Sequence, residues 1–307
     1  MTDIEQGSSV VPSRSNPAVG LIKAMRPKQW VKNVLVLAAP LAALGSKTGV
    51  SFTDILGPIL IAFAAFCLAA SGVYLVNDIK DVEADRAHPV KRNRPIAAGV
   101  VPPALAAAAA AVLMAASIAI SFLANWHLAV VMAIYLCLQL AYCFGLKHQP
   151  VLEICVVSSG FLLRAIGGGS AANIELSQWF LLVMTFGSLY MAAGKRYAEL
   201  KVAEETGAKI RKSLEGYTST YVRFVWTLAA TSALLSYGLW AFNGHPADAG
   251  VWYAVSMVPV VIATLRYAVH VDGGDAGEPE EIAFSDRVLQ LSALAWIGVM
   301  VVAILVV

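Results

Sequence analysis

One stretch of the chain, Asn77-Asp78-Ile79-Lys80-Asp81-Val82-Glu83-Ala84-Asp85-Arg86, closes a long apolar run and carries the pattern NDxxDxxxD. On a helix, positions i, i+3 and i+7 share a face, so Asp78, Asp81 and Asp85 are expected to line up, with Asn77 one turn from Asp81. Three like charges on one face repel each other unless a hard cation neutralises them. Mg2+ suits that role, because it takes one or two carboxylates and completes its shell with substrate phosphate oxygens. The expected chemistry is a grip on a diphosphate through Mg2+, with Asp78, Asp81 and Asp85 as both catalytic and metal-binding residues. The simpler alternative is a solvated acidic helix end. The position at a membrane boundary, beside further phosphate-binding candidates, weighs against it.

Those candidates follow at once in His88-Pro89-Val90-Lys91-Arg92-Asn93-Arg94-Pro95. Arginine offers phosphate a planar fork and lysine a point charge, so Arg94 and Lys91 are expected to bind substrate and Arg92 less so. A second constellation is Lys195-Arg196-Tyr197-Ala198-Glu199-Leu200-Lys201. Tyr197 and Lys201 are spaced i, i+4, and a phenol with an ammonium can hold a phosphate monoester. Lys195 and Arg196 join them as binding candidates. A third, Arg26-Pro27-Lys28-Gln29-Trp30-Val31-Lys32-Asn33, reads either as a basic interfacial entry or as a segment placing Lys28 or Asn33 over the cavity. Arg164 lies within an apolar run, followed by Gly167-Gly168-Gly169. A charge at that depth is a functional hypothesis, reaching a phosphate or pairing with Glu153 or an aspartate, and the glycines permit close packing or a bend.

The elements that must position these residues are membrane helices. Of 307 residues, 59% are hydrophobic and only 14% charged, against about 25% charged in a soluble domain. The apolar residues fall in non-alternating runs of about 20, which excludes a barrel and predicts an all-α polytopic membrane protein. Nine spanning helices are expected, near 31–46, 53–76, 103–123, 126–146, 151–170, 177–194, 219–242, 250–270 and 288–307. The sixth is short and is expected to continue as a helix beyond the membrane. Residues 1–20 are expected to form a disordered cytoplasmic tail and 21–307 a single transmembrane catalytic domain.

Lysine and arginine cluster before the first run and after the second, fourth and sixth, with only Lys47 on the opposite side. This asymmetry places the N-terminus and the long loops in the cytoplasm. The four cysteines, all within apolar runs and without a CxxC pair, read as buried small hydrophobes. The acidic, glycine-rich loop 271–286 reads as a linker. Nucleic acid is not an expected partner, and a homo-oligomer stays open.

The segments RPKQWVKN, NDIKDVEADR, KRNRP and GKRYAELK resemble the UbiA superfamily of intramembrane prenyltransferases, over the whole chain. Its usual second marker, a DxxxD motif after the sixth helix, is replaced here by Tyr197-xxx-Lys201. Ordinary members hold a prenyl diphosphate between two acidic motifs, and a cationic second motif speaks against that donor. The segments are more similar to a branch that moves 5-phosphoribosyl from phosphoribosyl pyrophosphate to decaprenyl phosphate, for cell-wall arabinan. This resemblance implies a nine-helix bundle in the plasma membrane and a Mg2+-held donor approaching the cytoplasmic face. It also implies that Tyr197, Lys201 and Arg196 orient either the lipid phosphate or the donor 5-phosphate. The alternative is prenyl transfer to an aromatic acceptor. A transporter is disfavoured because polarity gathers in loops on one side rather than at the midplane.

Overall fold

The computed structural model describes residues 16–44, 52–207, 214–243, 247–277 and 279–306. Arg14, Lys47, Lys209, Arg211, Lys212 and residues 244–246 lie outside these residues. Among the described residues the regular structure is helical, without a strand. The helices are α1 (Pro17–Ala24), α2 (Ala38–Leu44), α3 (Phe52–Lys80), α4 (Val82–Ala87), α5 (Pro103–Ala124), α6 (Trp126–Phe144) and α7 (Leu152–Ala171). There follow α8 (Gln178–Thr206), α9 (Ser219–Phe242), α10 (Ala247–Val255), α11 (Met257–Gly273), α12 (Pro279–Ser285) and α13 (Arg287–Val306).

Seven helical stretches among the described residues are long and apolar enough to cross a membrane: α3, α5, α6, α7, α9, α10 with α11, and α13. The other two expected spans take different forms. The run expected at 31–46 opens as a 3-10 helix over Pro27–Leu37 and becomes α-helical only at α2. Such long 3-10 runs are uncommon, and they eclipse side chains at i and i+3. Here that period stacks Trp30, Asn33 and Val36 in one file, which α2 continues with Ala39. Asn33, Val36 and Ala39 are buried, and the Trp30 indole donates to Ser71 Oγ at 3.1 Å. The run expected at 177–194 is the start of α8, whose 29 residues continue unbroken through the charged KRYAELK stretch.

Lipid removes the hydrophobic drive between helices, so close approach through small residues holds them together. The glycine triplet of α7 does this. A Cβ on Gly168 would lie 1.8 Å from the carbonyl oxygen of Val36, so the 3-10 segment and α7 touch backbone to backbone. Phe66, Leu128, Met132 and Val36 fill the core around α3, α6 and α7, while Ala193, Leu200, Val222 and Val271 fill a second around α8, α9 and α11. Polar residues between spans act as caps: Asn125 accepts from Leu128 N at 2.9 Å and Thr218 from Tyr221 N at 3.1 Å, each contributing about 1 kcal/mol.

Three expectations need correction. Residues 17–20 are helical rather than part of a disordered tail, because Asn16 caps α1 by accepting from Ala18 N and Pro17 presets its first turn. Cys67 and Cys143 are buried, but Cys137 and Cys155 lie exposed on helix surfaces. The loop 271–286 is not a bare linker: it contains α12, buries Ala276, and lends Asp272 and Asp286 to ion pairs.

Candidate active site

The aspartate motif straddles a break. Helix α3 ends at Lys80, Asp81 adopts φ −97° and ψ 7°, and α4 resumes at Val82. Hydrogen bonds from Asp81 N to Asn77 O at 2.9 Å and from Asp85 N to Asp81 O at 2.8 Å carry the helical winding across. Asp78 and Asp85 turn inward, with side chains 2% and 4% exposed. One arginine spans them, since Nη1 of Arg94 lies 3.3 Å from Asp78 Oδ1 and 2.6 Å from Asp85 Oδ2. Arg26 reaches Asp78 Oδ1 from the other side at 2.5 Å. Asp81 does not share that cation; Lys147, from the α6–α7 connection, pairs with it. The aligned face read from the sequence therefore resolves into a bridged pair and a third carboxylate with its own cation.

Backbone strain supports this arrangement. Arg26 is a non-glycine residue at φ 54°, a conformation costing about 1–3 kcal/mol that clusters at functional sites. It turns the guanidinium over the Tyr74 ring, 4.8 Å from its centroid, and onto Asp78. Ser71 steadies the entry by donating to Met25 O at 3.1 Å. The basic loop is braced by Arg86, which donates to Ala97 O at 3.2 Å, and by His88 Nδ1, which accepts from Val90 and Lys91 N–H groups.

The Tyr197 and Lys201 constellation is a second, separate cluster on α8. It is completed by residues far away in sequence. Arg223 of α9 donates to the Tyr197 hydroxyl and, at 2.6 Å, to Asp272 Oδ1 at the end of α11. The Tyr197 hydroxyl lies 3.3 Å from the same Oδ1, and Lys201 Nζ donates to the Asp272 carbonyl at 2.5 Å. Three donors thus converge on Asp272.

Between the clusters, Arg196 is buried against Glu153, with Nε to Oε1 at 2.8 Å. Glu199 and Tyr142 join the pair. Burial works against the Arg196 charge, but Glu199 and Glu153 outweigh it and keep the guanidinium charged. Arg196 therefore braces α8 against α7 rather than facing the Tyr197 cluster. Arg164 donates to Asn33 Oδ1 at 2.7 Å, Gly160 O at 2.6 Å and the Tyr135 hydroxyl at 3.1 Å. Among the described residues it has neither of the expected carboxylate partners, and it ties the 3-10 segment to α7. Lys28 is exposed, while Asn77, Lys91 and Lys195 are half-buried.

Sequence reading missed Arg26, Lys147, Arg223 and Asp272 as site residues. Arg26 and Lys147 were visible only as positive-inside charges, and no spacing rule joins Arg223 or Asp272 to Tyr197.

Among the described residues no three His, Cys, Asp or Glu side chains gather into a ready metal cluster. The donor set still fits Mg2+, because that ion needs only one or two carboxylates beside substrate phosphate oxygens. Asp78 and Asp85 already share a single positive group between them.

The UbiA prenyltransferase family model matches residues 34–294. The chain belongs to the UbiA prenyltransferase family. Similar curated proteins are the decaprenyl-phosphate phosphoribosyltransferases of Mycolicibacterium smegmatis, 62% identical over 98% of this chain and 97% of the relative, and of Corynebacterium glutamicum, 59% identical over 99% and 92%. That of Mycobacterium tuberculosis is 64% identical over 92% of this chain and 94% of its own. Among solved structures, a UbiA homolog from Archaeoglobus fulgidus bound to DMAPP and Mg2+ superposes with a TM-score of 0.68, covering 94% of this chain and 100% of its own. At 14% identity that likeness concerns the fold alone. The fold is thus the all-helical UbiA fold of a multi-pass membrane protein.

Proposed function

We propose that this UbiA-family protein transfers 5-phosphoribosyl from phosphoribosyl pyrophosphate to decaprenyl phosphate and releases pyrophosphate, in the plasma membrane, for cell-wall arabinan precursors. One observation carries the reading: two distinct polar clusters, one built on carboxylates and one on a tyrosine and cations, where a prenyl diphosphate enzyme of this family would offer two acidic motifs. The identity to relatives named for that activity supports it.

In this mechanism Asp78, Asp81 and Asp85 are the residues that would hold Mg2+ and, with it, the donor pyrophosphate. When bound, that ion neutralises charge developing on the leaving pyrophosphate. Arg26, Arg94 and Lys147, now paired with the aspartates, turn to pyrophosphate oxygens as the carboxylates engage the donor. The acceptor phosphate is already ionised at neutral pH, so one of its oxygens attacks ribose C1 without a general base while the C1–O bond to pyrophosphate breaks. Asn77 and Lys91, from the aspartate motif and the loop after it, serve the donor, and Lys195, on α8 with Tyr197 and Lys201, serves the phosphate monoester that those two orient.

The excess of lysine and arginine in the long loops supports an N-terminus and an active site on the cytoplasmic side. On this reading the 3-10 segment with α2 and the apolar start of α8 complete nine crossings.

The test is mass spectrometry of the lipid formed from phosphoribosyl pyrophosphate, decaprenyl phosphate and Mg2+. A phosphoribosylated polyprenyl phosphate supports the reading. Prenylation of an aromatic acceptor from a prenyl diphosphate, with no phosphoribosyl lipid, would replace it.

A further inference from the structure

The outward face of α9 has a chemistry that packing does not explain. Thr220, Arg223, Phe224, Thr227, Leu228 and Thr231 lie together on one open face of α9. Their spacing follows one helical stripe, all six are exposed, and Leu235, 61% exposed, continues the stripe toward the outer leaflet. A purely lipid-facing stripe needs neither threonines nor an arginine. Elsewhere in the membrane, hydroxyls are satisfied by the helix itself: Thr264 donates to Val260 O and Ser236 to Ser232 O, both at 2.8 Å.

Arg223 heads this stripe and belongs to the Tyr197 cluster at the same time. The anion position it shares runs from the lipid-exposed Arg223, with its side chain 55% exposed, to the buried Tyr197 hydroxyl. The Asp272 carboxylate now sits against both groups, which also bond each other directly. Asp272 immediately precedes Gly273 and Gly274, and Gly274 at φ 90° packs against the Lys201 stem. A carboxylate set before such a turn can swing aside for a stronger anion.

We propose that Arg223 and the α9 stripe receive the acceptor lipid. The polyprenyl phosphate head takes the place of the Asp272 carboxylate at Arg223 and Tyr197, beside Lys201 on the Asp272 carbonyl, and the first isoprene units lie along the stripe toward Leu235. Charge complementarity selects this occupant. The ligand must carry a phosphate at one end and a long apolar tail at the other, entering sideways from the membrane. A donor 5-phosphate arriving from water has no tail to cover the stripe. This inference rests on the transferase reading and assigns its second cluster to the acceptor.

The experiment uses the full chain in nanodiscs and a polyprenyl phosphate carrying a diazirine in its first isoprene units, with adducts mapped by mass spectrometry. Adducts are expected between Thr220 and Leu235. Unlabelled polyprenyl phosphate should compete them away, whereas polyprenol and phosphatidylglycerol should not. Arg223→Gln should cut labelling about tenfold, as expected for losing a hydrogen bond from a charged donor. Arg223→Lys should restore part of it, and Thr227→Trp, which covers the middle of the stripe, should reduce it without changing donor binding. Adducts on other helices, labelling unchanged in Arg223→Gln, equal competition by phosphatidylglycerol, or α9–α9 cross-links showing a second copy on this face would each overturn the proposal. Labelled α9 in a wild type that makes no phosphoribosyl lipid would leave the lipid site standing and sink the transferase reading. Product without α9 labelling would sink the site alone.

Discussion

The two polar clusters meet anionic phosphate chemistry in opposite ways. At the α3–α4 break, buried carboxylates lead and cations neutralise them: Asp78 and Asp85 share Arg94, Asp78 also takes Arg26, and Asp81 takes Lys147. At α8, α9 and α11, donors lead: Tyr197 and Arg223 meet a single carboxylate, that of Asp272, while Lys201 holds the backbone carbonyl of the same residue. The first arrangement suits a ligand delivered with a divalent ion. The second suits a bare phosphate. An enzyme that joins a soluble diphosphate donor to a lipid monophosphate needs both.

The sharpest way to break this contrast is Asp78→Ala. It removes a carboxylate from the donor side, takes from Arg26 its ion-pair partner and leaves Arg94 with Asp85 alone, so kcat should fall by about 10²–10³, the cost of losing one electrostatic stabiliser of developing charge. Steady-state assays with both substrates check this, and near-normal turnover would dissolve the donor assignment. Next is Arg196→Ala. It strands Glu153, which is fully buried, so the protein should lose about 3–5 kcal/mol of stability, read by thermal unfolding in detergent. A normal midpoint with a raised KM would instead return Arg196 to the phosphate site.

Lys147→Ala should raise the donor KM about tenfold and leave the lipid KM alone. An effect on the lipid KM would merge the two clusters. Asp272→Asn weakens the stand-in anion and should lower the lipid KM a few-fold, whereas a raised value would make Asp272 a supporting residue rather than a placeholder.

The smallest effect is expected at a carboxylate that belongs to neither cluster. Asp286 accepts from Arg266, His270 and the Leu289 N–H of α13, and these bonds, Arg266 foremost, hold its carboxyl below the usual carboxylate range. A depressed carboxylate adds stability above its unfolded pKa and loses it only as pH falls through the folded value. Asp286→Asn should therefore lower the thermal midpoint at neutral pH without moving either KM.

Much of the donor side was legible in the sequence because it is local. NDxxDxxxD and Arg94 lie within one short stretch, so helical spacing and charge sufficed to pick them out. The apolar runs, the unbroken α8 and the close packing at Gly168 were legible for the same reason, each being a property of consecutive residues. Tyr197, Arg223 and Asp272 come from three helices, and only tertiary packing brings them together. Lys147 and Arg26 were hidden by a second signal, since the positive-inside rule already accounted for their charge. The 3-10 segment escaped because its three-residue period, from Trp30 to Val36, is too short to stand out against an apolar run.

The central claim is that the aspartates hold the donor through a divalent ion. Equilibrium binding of phosphoribosyl pyrophosphate tests it most directly, measured with and without Mg2+ on the wild type and on Asp78→Asn. The account predicts binding that needs both the ion and the carboxylate, with affinity falling at least about tenfold when either is removed. Equal affinity in the chelated wild type, or in Asp78→Asn with Mg2+, would contradict it.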